Sequence, residues 1–343
     1  MITSIIKSIQ VTIKSALTIF LISTNILVAQ NLDLNRPKNI RTSEAYGFIL
    51  GQEFTINQIK SNFPQHKINA ERVETLFNVN FGKCKGKMIV YLTNFLGTGN
   101  FATYNTEMNA KLSEKLGPQI LDDEIIEAFL IEVENRSKGN IPSTILETLL
   151  SFQFSDYPSN EFTFGFVKTF KTIGHKKSKN TDWQLKVPIS WRSQEADRPN
   201  IIQKFTSDYG SGSQSIMIMV SDIPNNQILT NEEIKFLLTT DGLKTMIPEG
   251  ARYISSGVTT IDNIPSGILE IEQVVNRVDF NVKIRMIQFV FFYNNKLYSV
   301  QCMTSALSET TNLDTEMKKY LPLFKIVANS VVVNQQYKLN QSH

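Results

Sequence analysis

The chain has 343 residues, 41% hydrophobic and 20% charged, an ordinary globular composition that argues against disorder. Thirty-five Lys and Arg oppose 32 Asp and Glu, so no strong global field exists to attract nucleic acid, and that partner is disfavoured. Two cysteines, Cys84 and Cys302, make no disulfide framework; they fall in different predicted domains and are expected as buried free thiols, a bridge between domains being the alternative.

Residues 1–29 have the three parts of a secretory signal. Lys7 and Lys14 are its only charges, residues 16–28 are mostly apolar, and small Ala29 precedes a polar stretch, so cleavage is expected after Ala29. The competing reading is an uncleaved anchor. A span requires about 20 predominantly apolar residues, and this stretch is shorter and interrupted by Ser23, Thr24 and Asn25. No cysteine stands near the exit to carry a lipid. Removing the two lysines leaves 33 basic against 32 acidic residues, and no integral membrane span is expected after the signal. The expected localisation is secreted or periplasmic. The remaining 314 residues exceed one typical core and point to two domains.

Residues 30–40 read as a flexible tail and 41–173 as a helical domain. Thr55 and Gln58 make a capping box before Ile56, Ile59 and Phe63, and Pro64 stops that helix. Ala70, Val73, Leu76 and Phe77 share a face of the next; Ile89, Leu92, Phe95 and Leu96 mark another. Asp122 can cap a helix carrying Ile125, Ile126, Phe129, Leu130 and Val133, closed by Gly139. Pro142 opens the following one, with Ile145, Leu146, Leu149 and Leu150 inward.

Residues 174–180 read as a basic interdomain linker, within a cluster of Lys168, Lys171, His175, Lys176, Lys177 and Lys179. From 181 to 333 β-branched and aromatic runs alternate with turn signals. Residues 215–220 (SIMIMV) are a short apolar strand. Thr230 and Glu233 cap a helix with Ile234, Leu237 and Leu238, ended by Asp241-Gly242. Residues 268–275, 282–293 and 297–303 are strands, the last two joined across Asn294-Asn295. The run IQFVFF, 287–292, implies a strand covered on both faces. Leu313, Met317, Tyr320, Leu321 and Phe324 form a final helix bent or interrupted at Pro322, and 334–343 is a C-terminal tail. This is an α+β architecture with an antiparallel sheet.

Candidate chemistry resolves into structural readings. Gly97, Gly99 and Ala102 match G-x-G-x-x-A, but no parallel βαβ unit follows, so they read as a corner between helices. Residues 82–87 (GKCKGK) are one residue short of a phosphate loop and lack Ser or Thr after Lys87. The histidines His66, His175 and His343 are scattered, and Asp122, Asp123 and Glu124 lack calcium-loop spacing. No G-x-S-x-G exists; residues 210–213 (GSGS) read as a loop, and the only S-x-x-K lies inside the signal. Cys84 beside Lys83 and Lys85 is weighed as a reactive thiol and set aside for want of a neighbouring histidine or cysteine. Trp183 and Trp191 read as core and edge packing rather than partner anchors. No catalytic, cofactor-binding or metal-binding residue is assigned, and no cofactor is expected.

The run Trp183-Gln-Leu185-Lys-Val187-Pro188-Ile-Ser-Trp191 resembles the opening strand and Pro-x-x-Trp turn of PsbP-like domains. Residues 257–267 (GVTTIDNIPSG) are similar to their paired central strands, 291–302 to their final hairpin, and 324–332, with Ser330 before the valines, to their closing segment. The resemblance covers about residues 181–333 and implies an α/β/α sandwich with an antiparallel sheet, of the DcrB and LpqN type. It implies a binding or assembly module rather than an enzyme. The expected function is an exported, non-catalytic accessory protein of the bacterial envelope, contacting an envelope or secreted protein through the α/β domain. The alternatives are a carrier of a lipid or other apolar ligand over Met217, Met219 and Met286, and an enzyme of unrecognised class.

Overall fold

The computed structural model describes residues 31–118, 121–223, 227–276, 281–308 and 310–339. The expected signal peptide lies outside them. The chain divides into two compact units, one helical over Leu34–Asp156 and the other taking Tyr157 onward.

The helical unit is built from α1 (Asn31–Asn62), α2 (Lys67–Phe81), α3 (Cys84–Leu96), α4 (Thr98–Leu116), α5 (Asp123–Ser137) and α6 (Ser143–Gln153). Helical spacing explains its core: Ala70, Val73 and Phe77 of α2, Cys84, Met88 and Leu92 of α3, and Ile126, Leu130 and Val133 of α5 are all buried. Asp122 caps α5 as expected, accepting from the Ile125 N–H at 2.8 Å. Three expectations fail here. The supposed tail to residue 40 is already helix, since α1 begins at Asn31. Thr55 opens no helix but sits inside α1, its hydroxyl donating back to the Gly51 carbonyl. Leu76, Phe95 and Ile125 are exposed; the inward stripe of α3 starts at Cys84 and leaves Phe95 on the other side.

The α/β unit begins earlier than composition placed it. After α7 (Ser159–Thr163), β1 (Val167–Lys171) pairs antiparallel with β2 (Gln184–Pro188). The stretch read as a linker is therefore the connection of this ribbon. The Thr172 hydroxyl donates to the carbonyls of Thr181 and Trp183, Ser178 and Thr181 are buried, and Lys179 and Asn180 take left-handed φ. Two of its lysines are tied down: Lys179 pairs with Asp222 at 2.7 Å and Lys177 with Glu195 at 3.5 Å. Polar composition disguised an ordered turn.

The main sheet is seven-stranded and wholly antiparallel, in the order β3 (Arg192–Gln194), β4 (Ile201–Thr206), β5 (Gln214–Asp222), β9 (Lys296–Ala306), β8 (Asn281–Tyr293), β7 (Ile264–Asn276), β6 (Arg252–Ile261). Its first face packs against the β1–β2 ribbon and α10 (Asp314–Asn329), around Trp183, Leu185, Trp191, Phe291, Tyr298 and Phe324. The second is covered by α8 (Asn231–Leu237) and α9 (Thr240–Lys244), through Leu237, Leu238, Leu243 and Met246. Strand alternation explains how β8 serves both: Ile287, Phe289 and Phe291 enter the first core, Met286, Val290 and Phe292 the second. Both hairpins close through left-handed pairs, Asn294-Asn295 and Asp262-Asn263. The strands read as centrally paired are thus β6 and β7, with β6 at the edge.

Two further elements differ from expectation. Thr230 and Glu233 do form the capping box, but α8 ends before Asp241-Gly242, which lie inside a second helix capped by Thr239. The supposed C-terminal tail is partly helical, α11 (Asn334–Leu339). Around it Asp262 Oδ2 accepts from the Val333 N–H at 2.6 Å and Gln336 Nε2 at 2.9 Å, and the Tyr337 hydroxyl donates to Oδ1.

Gly242 is required by a close approach rather than by its φ. A Cβ there would stand 2.2 Å from the Phe236 carbonyl oxygen and 2.7 Å from Leu237 Cα, both backbone. At Gly267 a Cβ would meet only the ends of Leu243 and Leu238, at 2.7 and 3.2 Å. Gly242→Ala is expected to destabilise the α/β unit by about 1–3 kcal/mol and Gly267→Ala by less. Both tryptophans, Trp183 and Trp191, lie in this unit, so urea unfolding followed by tryptophan fluorescence reads it directly. The reverse order of cost would show that α8 and α9 do not hold this junction rigidly.

Candidate binding surfaces

The two edges of the sheet differ. Strand β3 has three residues, whereas β6 has ten. The two-residue turn makes Ile261 and Ile264 a hydrogen-bonded pair, and the alternation of antiparallel ladders then turns Ser255, Gly257 and Thr259 toward β7. Ser256, Val258 and Thr260 therefore point their backbone N–H and C=O groups away from the sheet. Pro265, which has no N–H to offer, lies opposite Thr260 at a position the ladder does not use. Natural edges are commonly blunted by lysine, proline, a bulge or short length, and β6 carries a register irregularity between Tyr253 and Ser255. Residues 253–261 (YISSGVTTI) carry no charge and no proline, and Val258 is 73% exposed.

A second feature lies under α8 and α9. The registers Lys204↔Met217↔Gln301↔Gln288 and Met219↔Ser299 run across β4, β5, β9 and β8 on the second face. Thr206↔Ser215 lies in the adjacent row on the same face. Gln288 Nε2 donates to Ser299 Oγ at 2.9 Å. The buried oxygens Gln288 Oε1, Gln301 Oε1, Ser215 Oγ and Thr206 Oγ1 have no hydrogen-bond partner. Each such group costs about 1–3 kcal/mol, so four weigh against a total stability of roughly 5–15 kcal/mol. Lys204 beside them is partly buried, and burial pushes its amine down to about 8, with Asp197 acting the other way. Met217, Met219, Met246, Met286 and Met303 surround the row. An apolar ligand on this face would leave all four oxygens unmet, which counts against the lipid-carrier alternative. The strand pattern was legible here; that Gln288 and Gln301 sit opposite each other required the register.

The Pro188–Trp191 turn, singled out in the sequence, is held from three directions. Ser190 donates its N–H to Glu161 Oε1 at 2.7 Å and its hydroxyl to Glu161 Oε2 at 2.6 Å. Lys168 Nζ donates to the carbonyls of Ile189 and Trp191. The Tyr209 N–H donates to the Ser190 carbonyl at 2.9 Å from within a left-handed run, Asp208, Tyr209 and Gly210. Glu161 is buried, and desolvation raises its carboxyl to about 7 against the hydrogen bonds from Ser190 and the charge of Lys168; Asp208 raises it further. Nothing in the sequence pattern marked Glu161, a charged residue in a five-residue helix.

The residues weighed for chemistry are dispersed. Gly97 takes φ +83° between α3 and α4, as a corner does, and Gly99 lies in the first turn of α4. Residues 82–87 form the α2–α3 turn and the start of α3, where Cys84 donates to the Leu149 carbonyl and burial pushes its thiol up to about 12. The flanking lysines do not activate it. Cys302 is likewise free and buried. His66 bonds Asp123 at 2.8 Å, the His175 ring accepts from the Lys177 N–H, and His343 lies outside the described residues. Among the described residues no three His, Cys, Asp or Glu side chains converge as metal ligands, and no helix is long and apolar enough to cross a membrane.

No family model and no curated protein matches the chain. Similar solved structures include cyanobacterial PsbP (CyanoP) from Synechocystis sp. PCC 6803, at 16% identity and TM-score 0.32, covering 49% of this chain and 92% of that one. LpqN, described as involved in cell envelope biogenesis of Mycobacterium tuberculosis, matches at 12% identity and TM-score 0.30, covering 51% and 96%. The Saccharomyces cerevisiae Ran-binding protein Mog1p matches at 8% and 0.31, covering 49% and 95%. Likenesses at this level carry no functional information.

Because the folded-state pKa of Glu161 is raised, its contribution to stability is greatest below the unfolded value of 4.5 and is lost as pH rises through about 7. The loss amounts to roughly 3 kcal/mol. Glu161→Gln keeps an acceptor for the Ser190 N–H and removes the titration. Tryptophan-monitored denaturation at pH 5 and pH 8 should show the wild type losing most of that amount more than the variant, since pH 5 already lies above the unfolded value. Equal losses would mean that Glu161 does not titrate in this window.

Proposed function

We propose that the chain is an exported, non-catalytic binding protein whose α/β unit pairs its β6 edge with an extended segment of another envelope or secreted protein. Export rests on the N-terminal pattern, with cleavage after Ala29. The observation that carries the binding reading is the long edge strand, uncharged from Tyr253 to Ile261, with Ser256, Val258 and Thr260 offering backbone groups outward. Strand addition uses such groups for affinity and alternate side chains for specificity. An extended segment supplies the complementary backbone row; a helix cannot.

The full mature chain, used as bait on an envelope fraction, tests this. Val258→Pro removes an outward N–H that the β6–β7 ladder does not use, while Val258→Thr keeps it. The proline variant, shown folded by tryptophan fluorescence, is expected to lose its captured protein at least tenfold and the threonine variant to keep it. Capture unaffected by proline would overturn the assignment of the edge. A chain that self-associates through β6, with no other protein retained, would overturn the heterologous partner.

A further inference from the structure

We propose that the sheet face beneath α8 and α9 is a binding site for a small polar ligand, one presenting N–H or O–H donors to Gln288 and Gln301 and an anionic group to Lys204. The site is separate from the β6 edge and does not depend on that reading.

Three observations converge. The row contains nine-tenths-buried side chains whose acceptor oxygens, Gln288 Oε1 and Gln301 Oε1, are unpartnered, beside the unpartnered hydroxyls of Ser215 and Thr206. Unmet acceptors call for donors. At the end of the row stands Lys204, a cation that makes no hydrogen bond or ion pair among the described residues and faces Asp197 at longer range. Two strand spacings, roughly 10 Å between Cα atoms, separate Lys204 from Gln301, with Met217 between them. The methionines around the row supply adaptable, polarizable walls for the carbon skeleton.

The roof is of a kind that can leave. Helices α8 and α9 have seven and five residues. Among the described residues they touch the sheet through Leu237, Leu238, Leu243 and Met246 and through Lys244 over the Tyr253 ring, with no hydrogen bond or ion pair to a strand. The floor is polar and the roof apolar. Lifting the roof exposes acceptors that a ligand can satisfy, and in the closed state described here they are sealed.

Free α-amino acids combine the required donors and carboxylate and serve as probes, with laurate as the apolar counter-probe. Thermal unfolding of the full chain by tryptophan fluorescence, together with ligand-observed NMR, reads binding. At least one amino acid is expected to bind at millimolar concentration and raise Tm. Gln301→Leu should be at least as stable as wild type when unliganded, because it removes an unmet group, and Gln288→Leu close to wild type, because it removes one unmet oxygen and frees the Ser299 hydroxyl; both should lose the response. Lys204→Met should weaken binding about tenfold. The proposal is overturned if no amino acid binds, if the leucine variants bind as wild type does, or if laurate binds in their place.

Discussion

The constraint on which this structure depends is the period of two along β5, β9 and β8. Each of these strands is buried on both faces, so a slip of one residue would exchange the two cores entirely. Phe289 would face the methionines and Val290 the tryptophan side. The register is fixed by local chemistry at the hairpin ends, where Asn294, Asn295, Asp262 and Asn263 adopt left-handed φ that most residues resist. Once the register is set, the layers follow. The ribbon and α10 meet one set of side chains, and α8 and α9 the other.

The same rule places the anomalies. Gln288 falls between Ile287 and Phe289 in an otherwise apolar run, and parity sends it to the α8–α9 side, opposite Gln301. A residue tolerated at the surface is thereby driven into a core that supplies it with Ser299 alone. The edges show the complementary effect. Pairing saturates the backbone of the central strands, while β6 ends the sheet with half its backbone groups facing outward. Unmet hydrogen-bonding groups thus occur along one edge and on the second face, and Trp183 Nε1 and Thr304 Oγ1 add two more on the first.

How much was legible in the sequence follows from the range of the interactions involved. Local signals were read correctly: Asp122 as a cap, Thr230 with Glu233 as a capping box, Asn294-Asn295 as a turn, and the two-sided apolar run of β8. An antiparallel sheet between helical layers, which the resemblance at residues 181–333 implied, is the architecture found. Tertiary context overrode the rest. Thr55 has the spacing of a cap but lies in a helix that began at Asn31. The lysines near 177 have the composition of a linker, yet their partners, Glu195 and Asp222, are distant in sequence. Glu161 and the Gln288–Gln301 pair were invisible because nothing local distinguishes a buried carboxylate or amide from an exposed one.

The perturbed ionisable groups lie on opposite faces of the sheet. General acid–base chemistry needs such groups to reach a common reacting atom. Glu161 and Tyr320, both raised by burial, lie with α7 and α10 on the first face of the sheet. Lys204, lowered by burial, lies on the second. The sheet stands between them. On the first face both Glu161 oxygens are engaged by Ser190 and the Lys168 amine by backbone carbonyls, so the cluster is committed to holding the Pro188–Trp191 turn. On the second face the lysine's neighbours are amides, hydroxyls and thioethers. Among the described residues the sheet thus splits the perturbed groups, with Glu161 close enough to raise Tyr320 on one face and Lys204 on the other.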